Sequence, residues 1–316
     1  MVEPLPWHRE VWERLAAHER LAHALLLVGP AGVGKRVFAA ALARRLVCEE
    51  GRACGVCRSC RLALSDNHPD ILPLVRAEGA SEITVDSARG LQDFVALRPH
   101  IAARRVALIL DADHLNRSAA NAILKTLEEP PPGSYLVLVS DAPARLLPTV
   151  RSRCQRLALG RPNEAQALAY LADHQVPDAG ARLALTHGAP LRAQALPSDA
   201  PDMAARLIKT LEDLAGGRLA VPDATEAWQG ADPDVALALV TDIGAGLAES
   251  CLMGRSQRGF SDPVQLSLRR LADRLDLERV FRLWDEALDA RALLGAPLDR
   301  RLVWDRIFMS VDTEQV

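Results

Sequence analysis

Apolar and polar positions along the chain fall into two regimes. Up to about residue 160, short unbroken apolar runs alternate with stretches whose apolar residues recur at helical spacing. Residues 24–28, 71–75, 106–110 and 136–140 are runs of the first kind, and each predicts a buried strand. Residues 37–47, 86–97 and 117–129 carry the helical periodicity between them. Strands alternating with helices predict a mostly parallel α/β sheet covered on both faces. After Arg161-Pro162 the strand signal stops. Residues 163–175 and 179–187 predict short helices that close at Gly188 and Pro190, and 197–201 reads as a linker. Everything beyond is helical in pattern, with turns expected near Gly216-Gly217, 254–262 and 295–297. Trp228, Trp284 and Trp304 fall on these helices and are expected to pack between them.

The 316 residues suffice for two or three compact domains. A formal net charge of −3 gives no global pull toward nucleic acid, but the charge is uneven. Lys and Arg number 24 against 21 Asp and Glu before residue 201, and 14 against 20 from there on. A basic face toward nucleic acid in the front part is open beside an ordinary solvated surface. The start, Met-Val-Glu-Pro-Leu-Pro-Trp-His, has no basic segment followed by an apolar one. No unbroken run reaches the roughly 18 apolar residues of a membrane span. A cytoplasmic protein without membrane contact is expected.

The first strand runs into Gly29-Pro-Ala-Gly32-Val-Gly34-Lys35-Arg36. A phosphate-binding loop G-x-x-x-x-G-K-[ST] needs its glycines so that backbone N–H groups can wrap a phosphate. It needs its lysine for the outer phosphates and a final hydroxyl for Mg²⁺. Here the hydroxyl position is Arg36, and a guanidinium cannot ligate a cation. The run 106–110 leads to Asp111, placed as the strand-end carboxylate that holds the Mg²⁺ shell in P-loop ATPases. A polar residue that merely ends a strand is the alternative. The next position, where a glutamate would polarise the attacking water, is Ala112. On an extended backbone Asp113 would share the face of Asp111 and could not replace that glutamate. The loop is therefore expected to bind ATP weakly or not at all.

Four of the six cysteines, Cys48, Cys54, Cys57 and Cys60, fall within thirteen residues. In a cytosolic chain such a cluster points to a closed tetrahedral Zn²⁺ site pinning the loop around it, with a redox C-x-x-C as the alternative. Cys154 and Cys251 are isolated and expected to be buried free thiols. Asn121–Glu129 ends against three prolines, with Glu128 and Glu129 opposing the helix dipole. Such local rule-breaking marks either a working surface or a solvated helix end. In Arg151-Ser152-Arg153-Cys154, an exposed arginine could serve as an arginine finger on a transferring phosphoryl group, or simply lie on the surface.

Gly29–Lys35, the cysteine cluster, Ala119-Ala-Asn-Ala-Ile-Leu-Lys-Thr-Leu-Glu-Glu-Pro-Pro131 and Ser152-Arg153-Cys154 together resemble the clamp-loader branch of the AAA+ ATPases, closely over residues 5 to 160. The resemblance implies an AAA+ domain with a four-cysteine zinc module (1–160, module 48–60), a small helical lid (161–200) and an all-α collar (201–316). It implies a non-hydrolysing stator of the DNA polymerase III clamp loader, giving Arg153 in trans to a neighbouring ATPase subunit. Implied partners are the gamma/tau motor subunits and the delta subunit, with the sliding clamp and primed DNA reached through the complex. Ser140 would stand near the γ-phosphate sensor and Arg192 near the lid arginine. Lys35 departs from the most degraded loops of the family, which lose it. Two other readings stand beside this one. An active P-loop ATPase subunit would turn over MgATP alone, and a zinc-dependent DNA-binding module would bind DNA alone with a steep salt dependence.

Overall fold

In the computed structural model of the protein, residues 4–17, 21–77, 79–253, 263–294 and 299–312 are described. The turns expected at 254–262 and 295–297 lie outside them. The chain divides into two compact units, residues 1–161 and 162–316.

The first unit is built on a five-stranded sheet: β1 (Ala24–Val28), β2 (Ile71–Leu74), β3 (Arg105–Ile109), β4 (Ser134–Ser140) and β5 (Gln155–Ala158). All pairs are parallel and the spatial order is β2-β3-β4-β1-β5. The register sets Val28 against Ser140 and Leu27 against Leu157. Every residue of β1 and β3 is buried, and all but Arg105 are apolar, which is why they show as apolar runs. The edge strands β2 and β5 are largely accessible. β5 is absent from the sequence prediction, because Gln-Arg-Leu-Ala carries one large apolar residue and no run.

Alternate residues of the central strands serve opposite faces. Leu25, Leu27, Val106, Leu108, Val137 and Val139 pack with Phe38 and Leu42 of α2 (Lys35–Val47) and with α1 (Arg9–Ala17). Ala24, Leu26, Val28, Ala107, Ile109, Leu136 and Leu138 meet Leu91 of α4 (Val85–Ala96) and Ile123 and Leu127 of α5 (Arg117–Glu128). Each such buried leucine contributes roughly 1.5–3 kcal/mol, so the covered sheet is a rigid base for the loops at its strand ends. The short helix α3 (Arg58–Leu64) follows the cysteine cluster, and α6 (Pro148–Arg151) precedes β5. Among the described residues this is the α/β P-loop architecture expected.

In the second unit α7 (Glu164–Asp173), α8 (Ala179–Leu185) and α9 (Pro190–Ala195) share a small apolar cluster of Ala167, Leu171, Leu183 and Ala193. Arg182, buried, donates to the carbonyls of Ala193, Leu196 and Pro197, which pins the connection into α10 (Ala200–Ala215). α11 (Val221–Trp228), α12 (Pro233–Met253), α13 (Pro263–Ala272), α14 (Leu277–Ala292) and α15 (Arg300–Met309) complete the unit around one larger core. Trp228 and Trp304 are buried in that core and Trp284 packs against it, as their helical positions predicted. Among the described residues one helix, over Pro233–Leu252, is long and apolar enough to cross a membrane by length and composition, although polar positions interrupt its apolar run. Its Leu237, Leu239, Val240, Ile243 and Leu247 are core residues of this unit, the pattern of a buried helix.

Candidate functional site

β1 ends directly at the phosphate loop, and two glycines admit its shape. A Cβ at Gly29 would collide with the Leu159 carbonyl oxygen. At Gly34, where φ is +96°, a Cβ would run into Leu5 Cδ1. A side chain at either place would displace a neighbour, so the loop takes the form the motif requires. Gly32 sits on the same turn with positive φ.

What the loop holds is its own chain. Lys35 is only 4% exposed. Its ammonium donates to the carbonyls of Gly29 at 2.6 Å and Pro30 at 2.5 Å, and pairs with Asp141 at 2.5 Å. The Arg36 guanidinium pairs with Asp111 Oδ1. The other oxygen of Asp111 accepts from the Arg76 N–H at 3.3 Å. The carboxylate expected to hold a metal shell thus carries an internal cation. Ala112 is fully buried and opens a 3-10 turn, Ala112–His114. The extended backbone assumed for Asp113 is therefore not found: β3 stops at Ile109, and Asp113 accepts from the Asp141 N–H at 3.2 Å. No carboxylate stands at position 112 in either geometry. Ser140, opposite Val28 at the mouth of the loop, is buried, and its hydroxyl has no hydrogen-bond partner among the described residues. Arg192, in the second unit, pairs with Asp242 of α12 at 2.5 Å.

Sequence reasoning missed the residues that line this loop. Trp7 Nε1 donates to the Val33 carbonyl at 2.9 Å, and His8 is buried against Phe38. Burial pushes the His8 pKa down to about 4, the nearby Gly160 backbone opposing and the Lys35 charge adding to the fall. The ring is neutral at neutral pH. Asp141 carried one available signal, an acid immediately after a strand end.

Cys48, Cys54, Cys57 and Cys60 converge as their spacing predicted, with all four sulfurs within 4.8 Å of one another. A tetrahedral metal about 2.3 Å from each thiolate fits such a set. Backbone N–H groups of Cys54, Cys57 and Cys60 donate to the sulfurs of Cys48, Cys54 and Cys57 at 3.4, 3.5 and 3.3 Å. Burial raises the Cys48 thiol, but N–H groups of Cys54, Arg52 and Glu50 outweigh it and bring the pKa to about 6. Burial and its thiol neighbours push Cys60 up to about 12. Four cysteines with these donors can bind a metal ion.

Arg153 stands apart from the loop and is 35% exposed on its side chain. It follows α6 and is held by its own chain: Nη2 lies 2.5 Å from Glu128 Oε1, and Nη1 donates to the Thr149 carbonyl at 3.0 Å. Cys154 beside it is partly buried, and burial alone pushes its thiol up to about 11, leaving it unreactive. Cys251 is also partly buried, with its pKa raised by burial and by Asp273.

A parallel sheet in the order β2-β3-β4-β1-β5, with a glycine loop after β1 and an acid after β3, defines a P-loop module of the AAA+ type. A family model for "DNA polymerase III, delta subunit" matches residues 7–163. The DNA polymerase III subunit delta′ of Pseudomonas aeruginosa is 38% identical over 72% of this chain and 72% of its own length. That of Escherichia coli strain K12 is 36% identical over 60% of each. The DNA polymerase III subunit gamma/tau of Mycobacterium bovis is 38% identical over 42% of this chain and 24% of its own. The chain belongs to the DNA polymerase III delta′ family of clamp-loader subunits.

Proposed function

We propose that this chain is the non-hydrolysing stator of a DNA polymerase III clamp loader and supplies Arg153 in trans to the ATPase site of a neighbouring motor subunit. The observation that carries the reading is the Arg36–Asp111 pair. A guanidinium occupies the carboxylate that Mg²⁺ would need, and Ala112 removes the group that would activate water. Arg153, by contrast, keeps donors at the surface, where a neighbour's nucleotide can meet them. Gamma/tau relatives of the same module support motor subunits of that type as partners, beside delta, with the clamp and primed DNA engaged through the assembly. Zn²⁺ is the metal we assign to the four cysteines, in a structural role without an open coordination position. Helices α7–α9, with a cluster of their own, form the lid (161–200), and the helices from 201 onward form the collar. The protein works in the cytoplasm.

The test is reconstitution with the motor and delta subunits. Arg153→Ala should leave assembly on gel filtration intact and remove the ATPase of one site by about 10³-fold, the scale of a lost arginine finger. The loss seen in the whole complex is smaller, because other sites continue. Unchanged clamp-stimulated hydrolysis and loading by the substituted complex would sink the assignment of Arg153.

A further inference from the structure

Glu128 and Arg153 belong to separate motifs, the proline-stopped helix and the segment after α6, yet their side chains meet. Arg153 Nη2 is 2.5 Å from Glu128 Oε1, and Nη1 is anchored at 3.0 Å on the Thr149 carbonyl with a weaker 3.5 Å contact to Ser152 Oγ. Because the anchors hold different nitrogens of a rigid planar fork, they fix its plane as well as its position. Among the described residues these contacts use Nη1 and Nη2, and none uses Nε. The two side chains are 35% and 49% exposed, so a ligand can reach them.

Stability does not explain the pair. An exposed ion pair contributes little. Glu128 also sits in the last turn of α5, where a carboxylate faces the negative end of the helix dipole. Its placement makes sense through the cation it holds.

We infer that Glu128 is a positioning residue that orients the Arg153 fork toward the phosphoryl group bound by the neighbouring subunit. The inference rests on the proposed role of Arg153. A donor already aimed where charge develops needs no reorganisation at the moment of transfer, and a supporting side chain is what keeps it aimed. Without Glu128 the guanidinium explores other rotamers, so turnover falls while ATP, held by the neighbour, binds as before.

The experiment is a double-substitution cycle in the reconstituted loader with clamp and primed DNA, reading kcat and KM for ATP. Arg153→Ala should remove the share of kcat belonging to the site it serves. Glu128→Gln should slow that site by up to about 100-fold, the scale of a misplaced group, with KM unchanged. On the Arg153→Ala background, Glu128→Gln should cost nothing further. Native kcat for Glu128→Gln, or a further loss on top of Arg153→Ala, would overturn the positioning role while leaving Arg153 as the finger. Full kcat for Arg153→Ala would instead remove the reading on which the inference stands.

Discussion

Arg36 shows how one residue changes a whole site. Its guanidinium pairs with Asp111, the acid after β3 that the motif would assign to a metal shell, and so sets a fixed positive charge beside that carboxylate. Lys35 is likewise paired, with Asp141, while resting on the loop's own carbonyls. Arg36→Thr would restore the hydroxyl that the motif lacks and free Asp111. MgATP should then bind more tightly than to the native chain, by about tenfold or more, on the scale of one charge-assisted contact. Turnover should still be absent, since Ala112 is unchanged. Equal affinity by titration calorimetry would mean that Arg36 is not what closes the site. The missing hydroxyl and the missing glutamate were legible in the sequence because motif positions are fixed by spacing. That Asp141 pairs with Lys35 and Glu128 with Arg153 was not, because a contact across 106 or 25 residues leaves no periodic trace.

At the scale of elements, buried strands were the most legible. Residues 24–28 match β1 to the residue, since all five are inaccessible and therefore apolar. β5 was missed for the opposite reason: an edge strand has one neighbour and mostly accessible residues, so Gln155 and Arg156 carry no burial signal. The 3-10 turn at Ala112–His114 also escaped, because a strand's end shows in sequence as a loss of pattern without showing the geometry that follows. The cysteine loop is the element where chemistry substitutes for packing. Its residues 49–57 form no regular element before α3, and Val56 lies 71% exposed. Ligation should therefore supply the order of this loop. Removing the metal, verified by elemental analysis, should lower the melting temperature of the intact chain and increase amide exchange around Cys48–Cys60. It should not change the ATPase of the loader by removing a chemical step. An unchanged melting temperature and unchanged exchange after complete removal would contradict a structural metal.

For the whole molecule, identity and architecture are written in different places. The family model covers residues 7–163, which include the glycine loop, the cysteine cluster and the Arg153 segment. The helices beyond are constrained chiefly by burial, as in the core built from Leu207, Leu211, Val240, Leu247, Leu283 and Phe308, and many apolar residues satisfy burial equally well. That half was legible as helical and acidic, but no motif in it points to a role. The central claim is that this chain gives an arginine to a neighbour and hydrolyses nothing itself. MgATP hydrolysis by the purified chain alone tests it most directly, with Lys35→Ala as the control for contaminating ATPase. The expected result is no turnover above that control. Steady Mg²⁺-dependent turnover that Lys35→Ala abolishes would make the chain a motor and contradict the reading of Arg36 and Ala112.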